Sequence, residues 1–193
     1  MEQTLELDVI TDTSKFLALR NEWDRLVESS SATIFQTFDW QWLWWKYFGE
    51  RLHLHIIVFR SAGKLVGIAP LYLDECSLFG ITLYRRLRFI GGGVEDWRSQ
   101  WDLAQFGPSD YLDIIALPEF QVEVASSFLG YLRKETSLDE AELENIPQES
   151  LLLTALIPRL KREGRPYRFV QDHVCPRITL PASLDEYLRG RSA

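Results

Sequence analysis

The sequence predicts a layered α/β or α+β domain, a mixed sheet with helices on both faces, and three observations predict it. First, residues 52–73 carry a strong antiparallel hairpin signal: LHLHIIVFR and KLVGIAPLYL meet about a turn at Ser61–Lys64, with β-branched Ile56, Val58, Val66 and Ile68 filling the strands. Second, two helical segments precede the hairpin and two follow it, each with apolar residues at three- and four-residue spacing. Third, further strand-like runs lie among the later helices, so strands grouped in hairpins are flanked by helices.

Taken in order, Leu5, Leu7 and Val9 alternate with polar neighbours and read as a strand. Phe16, Leu19, Trp23, Leu26 and Val27 then mark an amphipathic helix over residues 14–28, with Thr13 and Ser14 able to cap it and Ser29–Ser31 ending it. A second helix runs from about Asp39 to Phe48 and closes at Gly49. Its surroundings, FQTFDWQWLWWKYF, hold Phe35, Phe38, Trp40, Trp42, Trp44, Trp45, Tyr47 and Phe48, so the apolar surface exceeds one stripe. Each such ring removes on the order of 150–250 Å² from water when covered, so something must lie over most of them. Either this is the central core helix, or its outer face meets a second domain, a partner chain or a ligand.

Pro70 lacks an N–H and implies a bulge or the end of regular pairing in the hairpin. Leu83–Ile90 reads as another strand. An irregular stretch from Gly91 to Asp110 follows, with Glu95, Asp96, Trp97, Trp101 and Asp102, long enough to point to function. Tyr111–Ala116 is strand-like, Glu119–Lys134 helical with Phe120, Val124, Phe128 and Leu132 on one face, and Leu138–Asn145 a strand. Ser150–Glu163 is a leucine-rich helix that Pro158 must kink or divide. Short strands are expected at Tyr167–Val174 and Arg177–Leu180. No internal repeat or low-complexity linker interrupts the chain.

A chain of 193 residues supports one substantial domain that buries roughly 70% of its unfolded surface. With 46% hydrophobic and 25% charged residues, an ordered core without disulfide or metal is expected. The net charge of -7 argues against a nucleic-acid partner. The one dense basic spot, Arg85, Arg86 and Arg88, reads as a solvated strand face neutralised by nearby acids. Cys76 and Cys175 have no CxxC spacing, and His53, His55 and His173 no zinc-ligand pattern, so no metal ligand is assigned. His53 and His55 would share one half-exposed strand face. The start has no basic n-region or apolar h-region and no run reaches a membrane span, so the default compartment is the cytoplasm.

Seven phrases in order carry a resemblance: Trp23 with Leu26, IFQTFDWQWLWWKYFG (Ile34–Gly49), KLVGIAPLYL (Lys64–Leu73), RRLRFIGGG (Arg85–Gly93), SDYLDI (Ser109–Ile114), LENIPQESLLLTAL (Leu143–Leu156) and CPRITLPASLDEYLRGRS (Cys175–Ser192). Together they resemble the GNAT-like acyltransferases of the CelD/BcsL type, relatives of the FemAB aminoacyl transferases with two tandem GNAT-like domains. The resemblance implies a GNAT-like, mostly antiparallel mixed sheet. It also implies an acyl-CoA donor for the full-length protein and a hydroxyl or amine acceptor on a small molecule or saccharide, in polysaccharide or cell-envelope biosynthesis. Members continue beyond the segment that looks like Cys175–Ser192, so the resemblance covers the N-terminal half: residues 1–180 as the N-terminal domain and 181–193 as the start of a linker or helix toward a second GNAT-like domain. Ser183–Glu186 forms an S-x-x-E capping box, a helix start with about two turns of chain after it.

The resemblance implies a phosphate-cradling turn at Ala116–Gln121, ALPEFQ. That turn has no glycine, Pro118 removes a donor and Glu119 adds negative charge, so no cofactor is expected in this half. Gly91–Gly93 could approach a phosphate but lead into a loop, and read as a strand-ending turn. Cys175, followed by Pro176, reads as an inert packed thiol. No catalytic residue is assigned. Candidate substrate contacts are Gln36 and Trp40, which could shape an acceptor cleft, and Asp110, which with Asp113 could accept from or deprotonate an acceptor, Asp110 otherwise capping a turn. Two functions compete. One is the N-terminal domain of an acyltransferase, inactive alone and completed by a second GNAT-like domain or a homo-oligomer. The other is a non-catalytic module that docks a partner or homodimerises through its aromatic face. A complete small enzyme with its site at Gly91–Asp110 is a third reading.

Overall fold

Pro70 decides how the sheet divides. The computed structural model describes residues 5–79, 81–93, 108–171, 174 and 181–189. Strand β4 (Lys64–Ala69) stops before Pro70 and β5 (Leu71–Leu78) starts after it. Across the hairpin, His55 separates β2 (His53–Leu54) from β3 (Ile56–Ser61), and its N–H donates to the Leu71 carbonyl at 3.0 Å. One long hairpin thereby feeds two four-stranded sheets. The first has the order β1-β3-β4-β7, with β1 at Glu6–Ile10 and β7 at Ile115–Ala116; the second has β2-β5-β6-β8, with β6 at Ile81–Phe89 and β8 at Glu140–Ala141. Every pairing is antiparallel except β6 with β8.

The class expected from the sequence, a mixed and mostly antiparallel sheet layered with helices, is the one observed. Consecutive residues of β3 and β4 are buried, which requires cover on both faces. Helix α4 (Gln121–Lys134) lies so close on one face that a Cβ at Gly67 would stand 2.8 Å from Val124 Cγ2. Helix α2 (Arg20–Glu28) also packs on β4. It continues α1 (Thr13–Ala18) through a break at Leu19, so the single helix expected over 14–28 is two, and its cap is Asp12, whose Oδ1 accepts from the Ser14 and Lys15 N–H groups at 2.8 and 3.1 Å.

The aromatic helix, α3 (Phe38–Phe48), turns most of its rings inward. Phe38 and Trp44 are buried, Phe35, Trp40, Trp42, Trp45 and Phe48 half-buried, and Tyr47 is 71% exposed. Phe16, Trp23 and Phe38 form a cluster with centroids 5.3–5.8 Å apart. The indole of Trp23 donates to the Gln36 carbonyl at 2.9 Å, so its polar edge is satisfied in the core.

Several elements differ from expectation. The β5–β6 hairpin runs to Leu78 and Ile81, beyond the strand signal, and its tip projects Leu78, Phe79, Ile81 and Leu83 into solvent. Strands β7 and β8 are two residues each. From Leu152 to Leu156 the leucine-rich helix has π geometry and becomes α5 (Ile157–Arg162) just ahead of Pro158, where an α-helical ring would strike the Thr154 carbonyl. Tyr167–Gln171 is exposed and forms no strand. Helix α6 (Leu184–Arg189) is present, and the Glu186 N–H donates to Ser183 Oγ at 3.3 Å. Glu95, Asp96, Trp97, Trp101, Asp102, His173, Cys175 and the strand expected at Arg177–Leu180 lie outside the described residues.

The arginines of β6 are neutralised, as expected, but only Arg85 is solvated, its side chain 37% exposed and paired with Glu75. Arg86 pairs with Asp74 at 2.9 Å and Glu142 at 2.7 Å, and Arg88, its side chain 4% exposed, pairs with Glu144 at 2.7 Å. The two histidines also part company: His53 is exposed, whereas His55 is buried, with Nε2 2.5 Å from the Tyr131 hydroxyl. Burial holds the His55 imidazole below its ordinary value, opposed by the Glu135 carboxylate, and pushes the Tyr131 phenol up to about 12. Among the described residues no helix is long and apolar enough to cross a membrane, and no group of three or more His, Cys, Asp and Glu side chains could hold a metal.

Candidate functional site

A cleft of about 400 Å³ opens between the loop at Ser30–Thr33, the chain leading into β7, and the starts of α4 and the π-helix. Asp113 and Gln36 line it, with Tyr111, Gln121, Ser150 and Glu149. Among the described residues no lysine or arginine does. Gln36 arrives there because Ile34–Gln36 forms one 3₁₀ turn: its Oε1 accepts from the Thr33 N–H at 3.0 Å, and its Nε2 donates to the Asp113 carbonyl at 3.1 Å. Ser150 caps the far wall, where its Oγ accepts from the Leu153 N–H at 3.1 Å.

The Asp113 carboxylate reaches across to that wall. Its Oδ2 accepts from the Leu151 N–H and its Oδ1 from the Ile114 N–H, each at 2.8 Å. Burial pushes this carboxyl up to about 6, against the N–H groups of Leu151, Ile114 and Leu152, which favour the charged form. It is thus an anion at neutral pH, yet more basic than an ordinary carboxylate, a combination suited to accepting a proton.

Of the residues expected from sequence, the structure brings Gln36 and Asp113 together. Asp110 is exposed and absent from the lining, because the chain reverses between the two acids at Tyr111, whose φ of 55° lies in the left-handed region. Trp40 lies outside the lining too: its indole donates to Ser109 Oγ at 2.8 Å and meets Phe35 edge-on at 5.0 Å. Sequence reasoning missed Ser150, Thr154 and Gln121. A serine ahead of the leucine run was the cap signal that could have found Ser150.

Trp40 instead belongs to a clamp on the two chain segments beside the cleft. Gln41 Nε2 donates to the Ile90 carbonyl at 3.1 Å, and Trp44 Nε1 to the Gly92 carbonyl at 3.2 Å, so α3 holds residues 90–92 on one side and Ser109 on the other. Gly91, φ 105°, is required here, since a Cβ would stand 2.9 Å from Ser109 Oγ. These glycines are buried and end a strand.

The turn from Ala116 to Gln121 borders the cleft at both its ends. The Leu117 N–H donates to the Val66 carbonyl at 3.0 Å, the Phe120 N–H donates to the Leu117 carbonyl at 2.9 Å, and Pro118 has none. Glu119 is exposed beside them.

No sequence-family profile matches this chain, and no curated protein does. Among solved structures it is similar to a ribosomal-protein-alanine N-acetyltransferase from Brucella melitensis biovar Abortus 2308, at 12% identity over 90% of this chain and 99% of that one, with a TM-score of 0.42. A GNAT family acetyltransferase from Staphylococcus aureus subsp. aureus USA300_TCH1516 gives 9% identity, 91% and 99% coverage and 0.43. The aminoglycoside N-acetyltransferase AAC(6')-Iy in complex with CoA gives 12%, 93%, 99% and 0.43. Likenesses this distant say nothing of what this chain binds or does.

Proposed function

We propose that this chain is the acceptor-side, N-terminal domain of a GNAT-type acyltransferase whose whole form moves an acyl group from acyl-CoA to a hydroxyl or amine. The acceptor is a small molecule or saccharide, in polysaccharide or cell-envelope biosynthesis in the cytoplasm. Residues 1–180 form the domain and residues from 181 lead toward a second GNAT-like domain or copy, which carries the donor site. The observation that carries this reading is the cleft: a half-buried carboxylate, Asp113, held by the Ile114 and Leu151 N–H groups on a polar floor without one basic residue among those described. A CoA diphosphate would need free N–H donors or cations there, and the adjoining turn has spent two of its N–H groups and lacks a third.

In this reading Asp113 takes the proton of the acceptor as its oxygen or nitrogen bonds to the thioester carbonyl carbon and the thiolate of CoA leaves. Gln36, bonded to the Asp113 carbonyl, fixes the position of that base. The sequence resemblance supports the acyltransferase reading of the whole protein, while the roles of Asp113 and Gln36 rest on the cleft alone. The alternative, a docking module working through the aromatic helix, has less behind it, because Leu43 and Tyr47 are the large apolar side chains of α3 that remain exposed.

Two titrations test the reading. Calorimetry with acetyl-CoA is expected to show no saturable heat, and a stoichiometric site would overturn the assignment of the donor to another domain. Ethanolamine, which carries both an amine and a hydroxyl, is expected to shift the Asp113 carboxyl carbon resonance and lower its midpoint from about 6. An unchanged resonance at about 10 mM probe would remove Asp113 as the acceptor-side base.

A further inference from the structure

A second depression, an open groove of about 900 Å³, shares no lining residue with the Asp113 cleft. It runs along the C-terminal half of α3 and over β2 and the adjoining parts of β5 and β6. Its volume is near the upper end of the roughly 300–1,000 Å³ of small-molecule sites, room for more than one ring. Trp42 and Trp45, both half-buried, lie along it. Each is fixed from behind. Trp42 meets Phe16 edge-on at 5.7 Å, and Gly49 sits so close to the Trp45 indole that a Cβ would be 2.6 Å from the ring. Half-buried indoles packed against their neighbours in this way lose less side-chain entropy when a ligand covers the part that remains open.

A polar set lines the same groove. Glu75 Oε1 forms an ion pair with Arg85 Nε at 2.7 Å, and Glu75 Oε2 lies 3.6 Å from His53 Nε2. These are planar groups of the kind that bond two neighbouring hydroxyls at once. The groove's charges balance, Lys46 and Arg85 against Glu50 and Glu75, so it has no net pull on a phosphate or a polyamine.

We infer that this groove binds a short, uncharged saccharide chain, its ring faces stacked on Trp42 and Trp45 and its hydroxyls bonded to Glu75, Arg85 and His53. Indoles match the apolar C–H faces of a pyranose, the planar polar groups match its equatorial hydroxyls, and the balanced charge suits a neutral ligand. This inference does not rest on the role proposed for Asp113, and either can fail without the other.

Cellotriose, chitotriose and maltotriose are the probes, titrated into the intact chain while the indole N–H resonances are followed. Saturable shifts of Trp42 and Trp45 are expected with at least one of the three, with the core indole of Trp23 unmoved as internal reference. Glu75→Gln is expected to weaken binding about tenfold, and Arg85→Gln serves the same purpose should the first variant not fold. No saturable shift of either indole at about 10 mM of any trisaccharide would overturn the inference. So would shifts whose midpoint is the same in the folded variant.

Discussion

At the scale of the residue, Asp113 is a charge kept where water is scarce. Its folded value of about 6 stands above the ordinary 3.8, so its contribution to stability is full below pH 4 and declines as pH rises through 6. The loss is on the order of 3 kcal/mol, and Asp113→Asn is expected to remove that slope in denaturation midpoints taken from pH 4 to pH 7. His55 works the other way. With its folded value below 6.5, its contribution is present above 6.5 and declines as pH falls beneath it, so His55→Phe should flatten stability on the acid side of neutrality. Arg88 is the side chain whose loss should cost most among the ion pairs: Arg88→Ala leaves Glu144 without its cation while Glu142 keeps Arg86, and a drop of about 2 kcal/mol is expected from urea titration. Asp110 and Asp113 share one sequence phrase, SDYLDI, and nothing in it tells which of them faces the cleft. The reversal sits on Tyr111 in a backbone region where tyrosine is rare, and no residue type announces it.

At the scale of the element, the 52–73 hairpin could be read because β-branched alternation and the missing N–H of Pro70 are both local signals. Of the outer β5–β6 ribbon, Leu83–Ile90 was legible as a strand but the stretch from Asp74 to Leu78 was not: Asp74 and Glu75 look like a solvated surface until cross-strand pairing sets them against Arg86 and Arg85. Strand β8 lies inside the strand signal at Leu138–Asn145, but its register against β6 joins residues far apart in the chain and has no local signal. At the ribbon tip Phe79 is 95% exposed with φ 52°, poorly suited to both its solvent and its backbone. Phe79→Asn is therefore expected to hold or raise stability, by up to about 1 kcal/mol, and to reduce self-association in sedimentation velocity runs.

At the scale of the whole molecule, helix burial and the two sheets account for the described residues up to Glu163, and residues 164–171 lie exposed. Trypsin is expected to cut first after Arg168, since Pro166 protects the bond after Arg165, and the remaining sheet core to melt within about 2 °C of the intact chain. The layered class was visible in the sequence because each helix and hairpin carries its own periodicity. The cleft was only half visible, since Gln36 and Asp113 meet through a bond spanning 77 positions. The grip of α3 on Ile90, Gly92 and Ser109 has one more consequence. Because one helix reaches both anchor points through separate side-chain donors, they can be released one at a time: Trp40→Phe frees Ser109 and Trp44→Phe frees Gly92, each at a cost of about 1 kcal/mol.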